Sequence, residues 1–197
     1  MKLFKSIFVM LFFLSLATPV HAAEANVVQI NNDTVVSEVM TYNEIINQLA
    51  TSKNISLQEA YSEFPLGATK NTRALLTYRT VAKIVDIDST YKVTMRFYCE
   101  TSEGSGYWGI KRIMNVEMNR NYNGISKQFG GNVYTNLESA YKIFFIVNGD
   151  FYNNGTTTYN GGVDIGIGKA ANIGFSIGYA SNHFKYAYRE LYLITQN

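Results

Sequence analysis

The sequence predicts a mainly β protein, an antiparallel β-sandwich or barrel preceded by a short N-terminal helical pair. From residue 75 onward, apolar and polar side chains alternate along several segments, as expected for strands with one buried face. Gly- and Asn-containing turns separate these segments. The chain is also rich in aromatic residues and poor in proline, with 15 Tyr, 12 Phe and 2 Pro among 197 residues. Strands at this spacing, without long helical patterns between them, are typical of sandwiches and barrels.

Residues 1–22 have the pattern of a cleaved secretory signal peptide. Lys2 and Lys5 form a short basic start, residues 7–17 are apolar, and Val20-His21-Ala22 precedes the expected cleavage position. The apolar run is too short to cross a bilayer core of about 30 Å, so we expect no membrane anchor. With no lipoprotein cysteine near the cleavage position and no wall-sorting motif, the sequence predicts a secreted protein.

Cleavage makes the mature chain formally neutral, because removing Lys2 and Lys5 from 17 basic residues leaves 15, the number of acidic residues. Nucleic-acid binding requires a basic face, so we expect no nucleic-acid partner. His183 and Cys99 are then the only histidine and cysteine. One residue of each type cannot assemble a His/Cys metal site or an internal disulfide, and no cofactor is expected.

Residues 23–40 predict an extended lead-in, and residues 41–66 predict the helical pair. Each helix begins with a capping box, Thr41 with Glu44 in the first and Ser56 with Glu59 in the second. The apolar sides are expected at Ile45, Ile46 and Leu49, and at Leu57, Ala60, Tyr61 and Phe64.

Residues 74–195 predict the antiparallel β domain. Residues 91–99 and 108–118 alternate as half-buried strands, whereas residues 141–147 are apolar on both faces, as in a central strand. Residues 163–179 predict a hairpin turning at 169–172, with bulky residues on one face and glycine on the other. The last strand is expected to carry four aromatic residues on one face, Phe184, Tyr186, Tyr188 and Tyr192.

Glycine inside strands indicates that another group approaches the backbone closely. The favoured interpretation is that Tyr186, Tyr188 and Tyr192 lie over the glycines as packing. The alternative is a ligand seated on a flat glycine strip edged with tyrosine. Tyr107, beside Trp108 in a glycine-rich turn, is a further exposed candidate for stacking on a sugar. The candidate ligand-binding residues are therefore Gly166, Gly174, Gly178, Tyr107, Tyr186, Tyr188 and Tyr192.

No residue pattern predicts catalysis. Cys99 and His183 stand in the reverse order to the sortase-type pair, and Cys99 falls on the apolar face of its strand, where a thiol is inert. Ser181 next to His183 lacks the geometry of a triad. The acidic pairs Asp86/Asp88 and Glu100/Glu103 are expected to be solvated charge.

An export signal, the helical segments 41–50 and 54–60, and a Tyr/Gly-rich β domain together resemble small secreted proteins of unknown function from Gram-positive bacteria. The resemblance assigns no activity to any residue. The sequence favours a secreted, non-enzymatic binding module for a glycan or protein at the cell envelope, and membrane insertion is not expected. A pore-forming or membrane-active β protein is the alternative, and a cell-envelope hydrolase using acidic residues is a third interpretation.

Overall fold

The computed structural model describes residues 27–31, 33–66, 76–159 and 162–196, so the predicted signal peptide lies outside the described residues. A mainly β architecture is confirmed. The elements, in chain order, are β1 (Val27–Asn31), β2 (Thr34–Ser37), α1 (Tyr42–Lys53), α2 (Leu57–Glu63), β3 (Thr77–Asp86), β4 (Lys92–Glu103), β5 (Trp108–Asn119), β6 (Asn121–Tyr122), β7 (Ile125–Ser126), β8 (Gln128–Ser139), β9 (Lys142–Tyr159), β10 (Ile165–Gly166) and β11 (Ala170–Ile194).

Two antiparallel sheets make up most of the protein. The first sheet has the order β1-β2-β3-β4-β5-β10, the second is formed by β8, β9 and β11, and β6 and β7 form a small separate hairpin. The 25-residue β11 pairs with β8 up to Phe175 and from there with β9, so the pairings of these three strands close on themselves. Three strands are too few to enclose a packed interior. The arrangement is therefore a sandwich of two sheets, not a barrel that holds the core.

The main core lies between the two sheets. Phe97 of β4 packs on Phe145 of β9 with ring centroids 5.3 Å apart, and Tyr91 packs on Phe151 at 6.0 Å. These residues belong to one buried cluster that draws on both sheets. The period-two alternation of the sequence thus points every second side chain of a strand into this core.

The helical pair covers the other face of the first sheet. Both capping boxes are present, at Thr41 and at Ser56. The buried side of α1 joins residues of β3, β4 and β5 in a second cluster, which includes Ile45, Ile46, Leu49, Tyr78, Tyr98 and Met114. The predicted apolar side of α1 is confirmed. In α2 only Ala60 is buried, and Leu57 and Tyr61 are exposed, because this short helix touches the cluster through one turn and the following Phe64.

Residues 23–40 do not form a simple lead-in. Their described part contains β1 and β2, which pair with each other as a hairpin, and Thr34 to Val36 of β2 pair with β3. The β domain therefore begins before the helical pair. A strand that precedes its partner by some 45 residues leaves no local pattern that could have assigned it to the sheet.

The predicted hairpin over residues 163–179 is wrong. Ile165 and Gly166 of β10 pair with β5 in the first sheet, whereas Ala170 to Phe175 of β11 pair with β8 in the second. The turn at Ile167 and Gly168, where Gly168 has a φ of +75°, carries the chain from one sheet to the other. Alternation predicted two strands correctly, but it could not show that their partners lie in different sheets.

Candidate ligand-binding face

The outer face of the second sheet consists of the side chains of β8, β9 and β11 that point away from the core. Ile143, Phe145 and Val147 of β9 are buried against the first sheet, so Phe144 and Ile146 point to the opposite side. The segment that looked apolar on both faces is a central strand, between β8 and β11. Within the described part of the chain no further layer covers its second apolar face, where Phe144 and Ile146 remain half-buried among their neighbours.

An aromatic row crosses this face over three strands. Phe144 of β9 lies between Tyr134 of β8, with ring centroids 6.1 Å apart, and Tyr192 of β11, at 5.0 Å. Tyr186 and Tyr188 extend the aromatic surface along β11. The rings of β11 remain exposed, at 53% for Tyr186, 47% for Tyr188 and 48% for Tyr192.

The three tyrosines of β11 share the outer face, as the alternation predicted, but Phe184 does not join them. A bulge between His183 and Lys185 interrupts the pairing with β9, and Phe184 packs toward the core, 5.8 Å from the ring of Tyr91. A bulge inserts one residue and so changes which side chains face inward on either side of it. The simple alternation over residues 183–192 misses this shift.

The favoured interpretation of the glycine strip is also wrong. A Cβ added to Gly178 would meet no heavy atom within 4 Å, and the nearest to Gly174 would be Asn132 Oδ1 at 3.9 Å. At Gly166 the nearest would be Lys169 Cδ, also at 3.9 Å. Tyrosines do not cover these glycines, because residues 186–192 pair with β9 rather than with residues 173–178. The strip is also divided, since Gly166 lies in the first sheet.

Close packing against glycine occurs elsewhere in the second sheet. Ile177 Cγ2 lies 2.7 Å from the position that a Cβ would take on Gly130. Gly131 of β8 is paired with Gly149 of β9, and a Cβ on Gly149 would lie 2.4 Å from the Gly130 carbonyl oxygen. Close packing against glycine therefore occurs at Gly130 and Gly131 of β8 and Gly149 of β9, and not at Gly166, Gly174 or Gly178.

Three polar side chains of the second part of β11, those of His183, Tyr186 and Tyr188, have hydrogen-bond partners on this face. The hydroxyl of Tyr186 donates to Asn148 Oδ1 at 2.8 Å, and that of Tyr188 donates to Glu190 Oε1 at 2.5 Å. The bond to Glu190 raises the pKa of Tyr188, because it stabilises the protonated phenol. His183 Nε2 lies 2.8 Å from Asp150 Oδ1 in an exposed pair. These hydrogen-bonding groups already have partners.

Three asparagines lie near Tyr134 on the same face, two in β8 and one in the first part of β11. Asn172 is paired with Tyr134 across the strands, and Asn132 and Asn136 are two residues away along β8. The exposed side chains of Asn132 and Asn172 form no hydrogen bond with any described residue, and Asn136 Oδ1 is shielded from solvent without a partner. This group was not among the candidates predicted from the sequence. The available signal was the alternation Asn132-Val-Tyr-Thr-Asn136, which places Asn132, Tyr134 and Asn136 on one face.

Tyr107 and Gly166 do not belong to this face. Tyr107 is exposed, as predicted, but it lies in the β4–β5 turn of the first sheet with its ring against Gly104. Gly166 is in β10, paired with Arg112 of β5. The structure therefore brings together Gly174 and the three tyrosines of β11 with Tyr134 and Phe144, and it places Tyr107 and Gly166 in the other sheet.

The nucleophile and base considered in the sequence lie apart. Cys99 is fully buried in the core, and burial raises the pKa of its thiol far above the ordinary range. His183 is exposed on the outer face of the second sheet. A protonated, enclosed thiol cannot act as a nucleophile toward an external substrate.

The acidic pairs have structural partners. Asp86 pairs with Lys92, and Asp88 accepts hydrogen bonds from the backbone amides of Thr90 and Tyr91. These bonds lower the pKa of Asp88.

The second acidic pair is divided between two arginines. Glu100 pairs with Arg112 at 2.8 Å, and Glu103 pairs with Arg79 at 2.9 Å. Within the part of the chain that the structure describes, no three His, Cys, Asp or Glu side chains are grouped so that they could hold a metal ion.

Comparisons of the chain with protein-family models, curated proteins and solved structures found no match. Neither of the two described helices is long and apolar enough to cross a membrane. The function of the protein is therefore inferred from its own outer face.

Proposed function

We propose that the protein is a secreted, non-enzymatic module that binds an extended, uncharged glycan on the outer face of the second sheet. The observation that carries this proposal is the aromatic row of Tyr134, Phe144 and Tyr192, which crosses three strands on a face that α1 and α2 leave uncovered. Contiguous exposed apolar surface rimmed by polar groups is typical of a binding site.

The chemistry of the face fits a sugar polymer. Aromatic rings offer flat apolar surfaces to the C–H groups of pyranose rings, while amides and hydroxyls beside them can bond to sugar hydroxyls. The Lys142 ammonium at one end of the row is paired with Glu138 at 2.9 Å, and the Glu190 carboxylate accepts a hydrogen bond from the Tyr188 hydroxyl. An uncharged ligand needs no counter-charge on this surface.

Calorimetric titration of the mature protein with neutral oligosaccharides tests the proposal. Tyr192→Ala is expected to weaken binding about tenfold, because it removes half of an aromatic contact pair. Tyr107→Ala is the matched control, since it removes an exposed tyrosine of the first sheet. Equal losses in the two variants, or no binding of any neutral glycan by the wild-type protein, would contradict the proposal.

Two further measurements test the export of the protein and the membrane-active alternative. N-terminal sequencing of exported protein should begin at Ala23, as expected for a cleaved signal peptide. Release of dye from liposomes at protein concentrations that saturate the glycan would favour a membrane-active protein instead.

A further inference from the structure

The three rings of the aromatic row are spaced like the units of one linear chain. Tyr134, Phe144 and Tyr192 stand on three neighbouring strands, with successive ring centroids 6.1 Å and 5.0 Å apart. These distances are close to the usual separation of paired strands, about 4.8 Å, because each strand contributes one ring. A pyranose and a phenyl group are both six-membered rings of similar width. Successive sugars of a glycan that crosses the strands can therefore each meet one aromatic ring.

The rings of the row are not coplanar. The plane of Phe144 is inclined by 65° to that of Tyr134 and by 40° to that of Tyr192. Neighbouring strands of a sheet are rotated by roughly 20–25° relative to each other, which turns the side chains of successive strands out of a common plane. The row is therefore a twisted surface and not a flat one.

This twist determines which form of a glycan can use the whole row. Stacking requires the sugar ring to lie nearly parallel to the aromatic ring, so that its C–H groups face the π system. A flat crystalline surface holds all its exposed sugar rings in one orientation. If that surface is parallel to Phe144, it is inclined by 65° to Tyr134 and by 40° to Tyr192, and only one ring stacks. A single chain can rotate at each glycosidic bond and turn successive sugars toward successive rings.

We propose that the outer face binds single, separated glycan chains and not the packed surface of a crystalline polysaccharide. The inference rests on the proposed function of this face as a glycan-binding site. Each ring of the row stacks on a different sugar of the same chain, so the bound stretch includes three successive sugars.

Cellulose and chitin provide the test, because each can be prepared in a microcrystalline form and in an acid-swollen form whose chains are separated. Depletion isotherms of the mature protein give a dissociation constant for each solid, and this constant does not depend on how much surface the solid offers. We expect it to be about tenfold higher on the microcrystalline form of the polymer that binds, because ring contacts are lost. Equal affinity for the two forms, or tighter binding to the crystalline one, overturns the inference and leaves glycan binding intact. If neither polymer binds in either form, the inference is overturned, and if the neutral oligosaccharides also fail, so is the proposed function.

The two ends of the row are tested with the soluble hexamer of the same polymer. Tyr134→Ala and Tyr192→Ala should each weaken its binding about tenfold in calorimetric titration, and the double variant about a hundredfold, because the two rings hold different sugars. A double variant that binds as well as Tyr192→Ala alone would mean that the two rings do not hold separate sugars, and would also overturn the inference. Tyr107→Ala is the matched control. The comparison of the two solids uses the wild-type protein, so it does not depend on the folding of any variant.

Discussion

Both sheets of the sandwich carry tyrosines on the face turned away from the main core, but those of the first sheet are buried and those of the second are exposed. Tyr78 and Tyr98 of the first sheet are 1% and 0% exposed beneath α1, whereas Tyr186, Tyr188 and Tyr192 of the second are about half-exposed. The same residue type on the same kind of strand is core in one sheet and surface in the other. The difference lies in the covering layer: α1 packs on the outer face of the first sheet, and among the described residues no helix packs on that of the second.

The covered and uncovered faces differ in chemistry as well as in exposure. Burial raises the pKa of Tyr78 to about 12 and that of Tyr98 to about 12, and the hydroxyl of Tyr98 donates to Glu117 at 2.6 Å. Buried phenols of this kind are part of the packing. In the second sheet, Tyr192 packs on Phe144 with ring centroids 5.0 Å apart and is still 48% exposed.

Truncating a residue beneath the covering layer should have the largest effect on stability. Leu49 of α1 is 0% exposed and packs on the first sheet, so Leu49→Ala should lower the free energy of unfolding by about 2–5 kcal/mol. Ile194→Ala, at the 44% exposed end of β11, should cost less than about 1 kcal/mol. Urea unfolding monitored by circular dichroism measures both. Similar losses of stability in the two variants would contradict the difference in packing between the two outer faces.

Substitutions in the second sheet should reduce stability most where the backbones of β8 and β9 approach each other closely, and least on the outer face. Gly149→Ala forces a Cβ to within 2.4 Å of the Gly130 carbonyl, so it should cost about 1–3 kcal/mol. Gly178→Ala has open space around it and should leave thermal unfolding nearly unchanged. If Gly178→Ala destabilises the protein as much as Gly149→Ala does, a tyrosine or another group covers the strip after all.

The smallest expected effect is a loss of stability at alkaline pH. Because the pKa of Tyr98 is raised from 10.0 to about 12 in the folded protein, the folded state holds its phenol proton more tightly than the unfolded state does. The stability that this proton contributes is complete below pH 10 and is lost as the pH rises through 12. The midpoint of thermal unfolding should therefore decrease as the pH is raised from 10 to 12.

The variant Tyr98→Phe provides the control for that pH dependence. It lacks the titrating hydroxyl, so its unfolding midpoint should decline less steeply between pH 10 and pH 12. It should also be less stable at neutral pH, because Glu117 loses a donor and is left with Arg96 at 3.5 Å. A decline as steep as that of the wild-type protein would assign the alkaline loss to other groups, such as Tyr78 and Tyr159.

Much of the local structure, and part of the candidate ligand-binding face, could be predicted from the sequence. The capping boxes at Thr41 and Ser56, the apolar side of α1 and the shared face of Tyr186, Tyr188 and Tyr192 follow from spacing alone. The group around Tyr134 was missed, although its alternation is equally regular. Asn172 is 38 residues from Tyr134 along the chain, and only strand pairing brings the two together.

The type of each main element can be predicted from sequence, because caps, turns and alternation depend on residues within a few positions of one another. Which strands pair with each other follows only from the tertiary structure, in which Gly166 lies in the first sheet and Gly174 lies in the second. It also decided which outer face the helices cover. Both outcomes depend on contacts between residues far apart in the chain, where burial of apolar surface and not local spacing selects the arrangement.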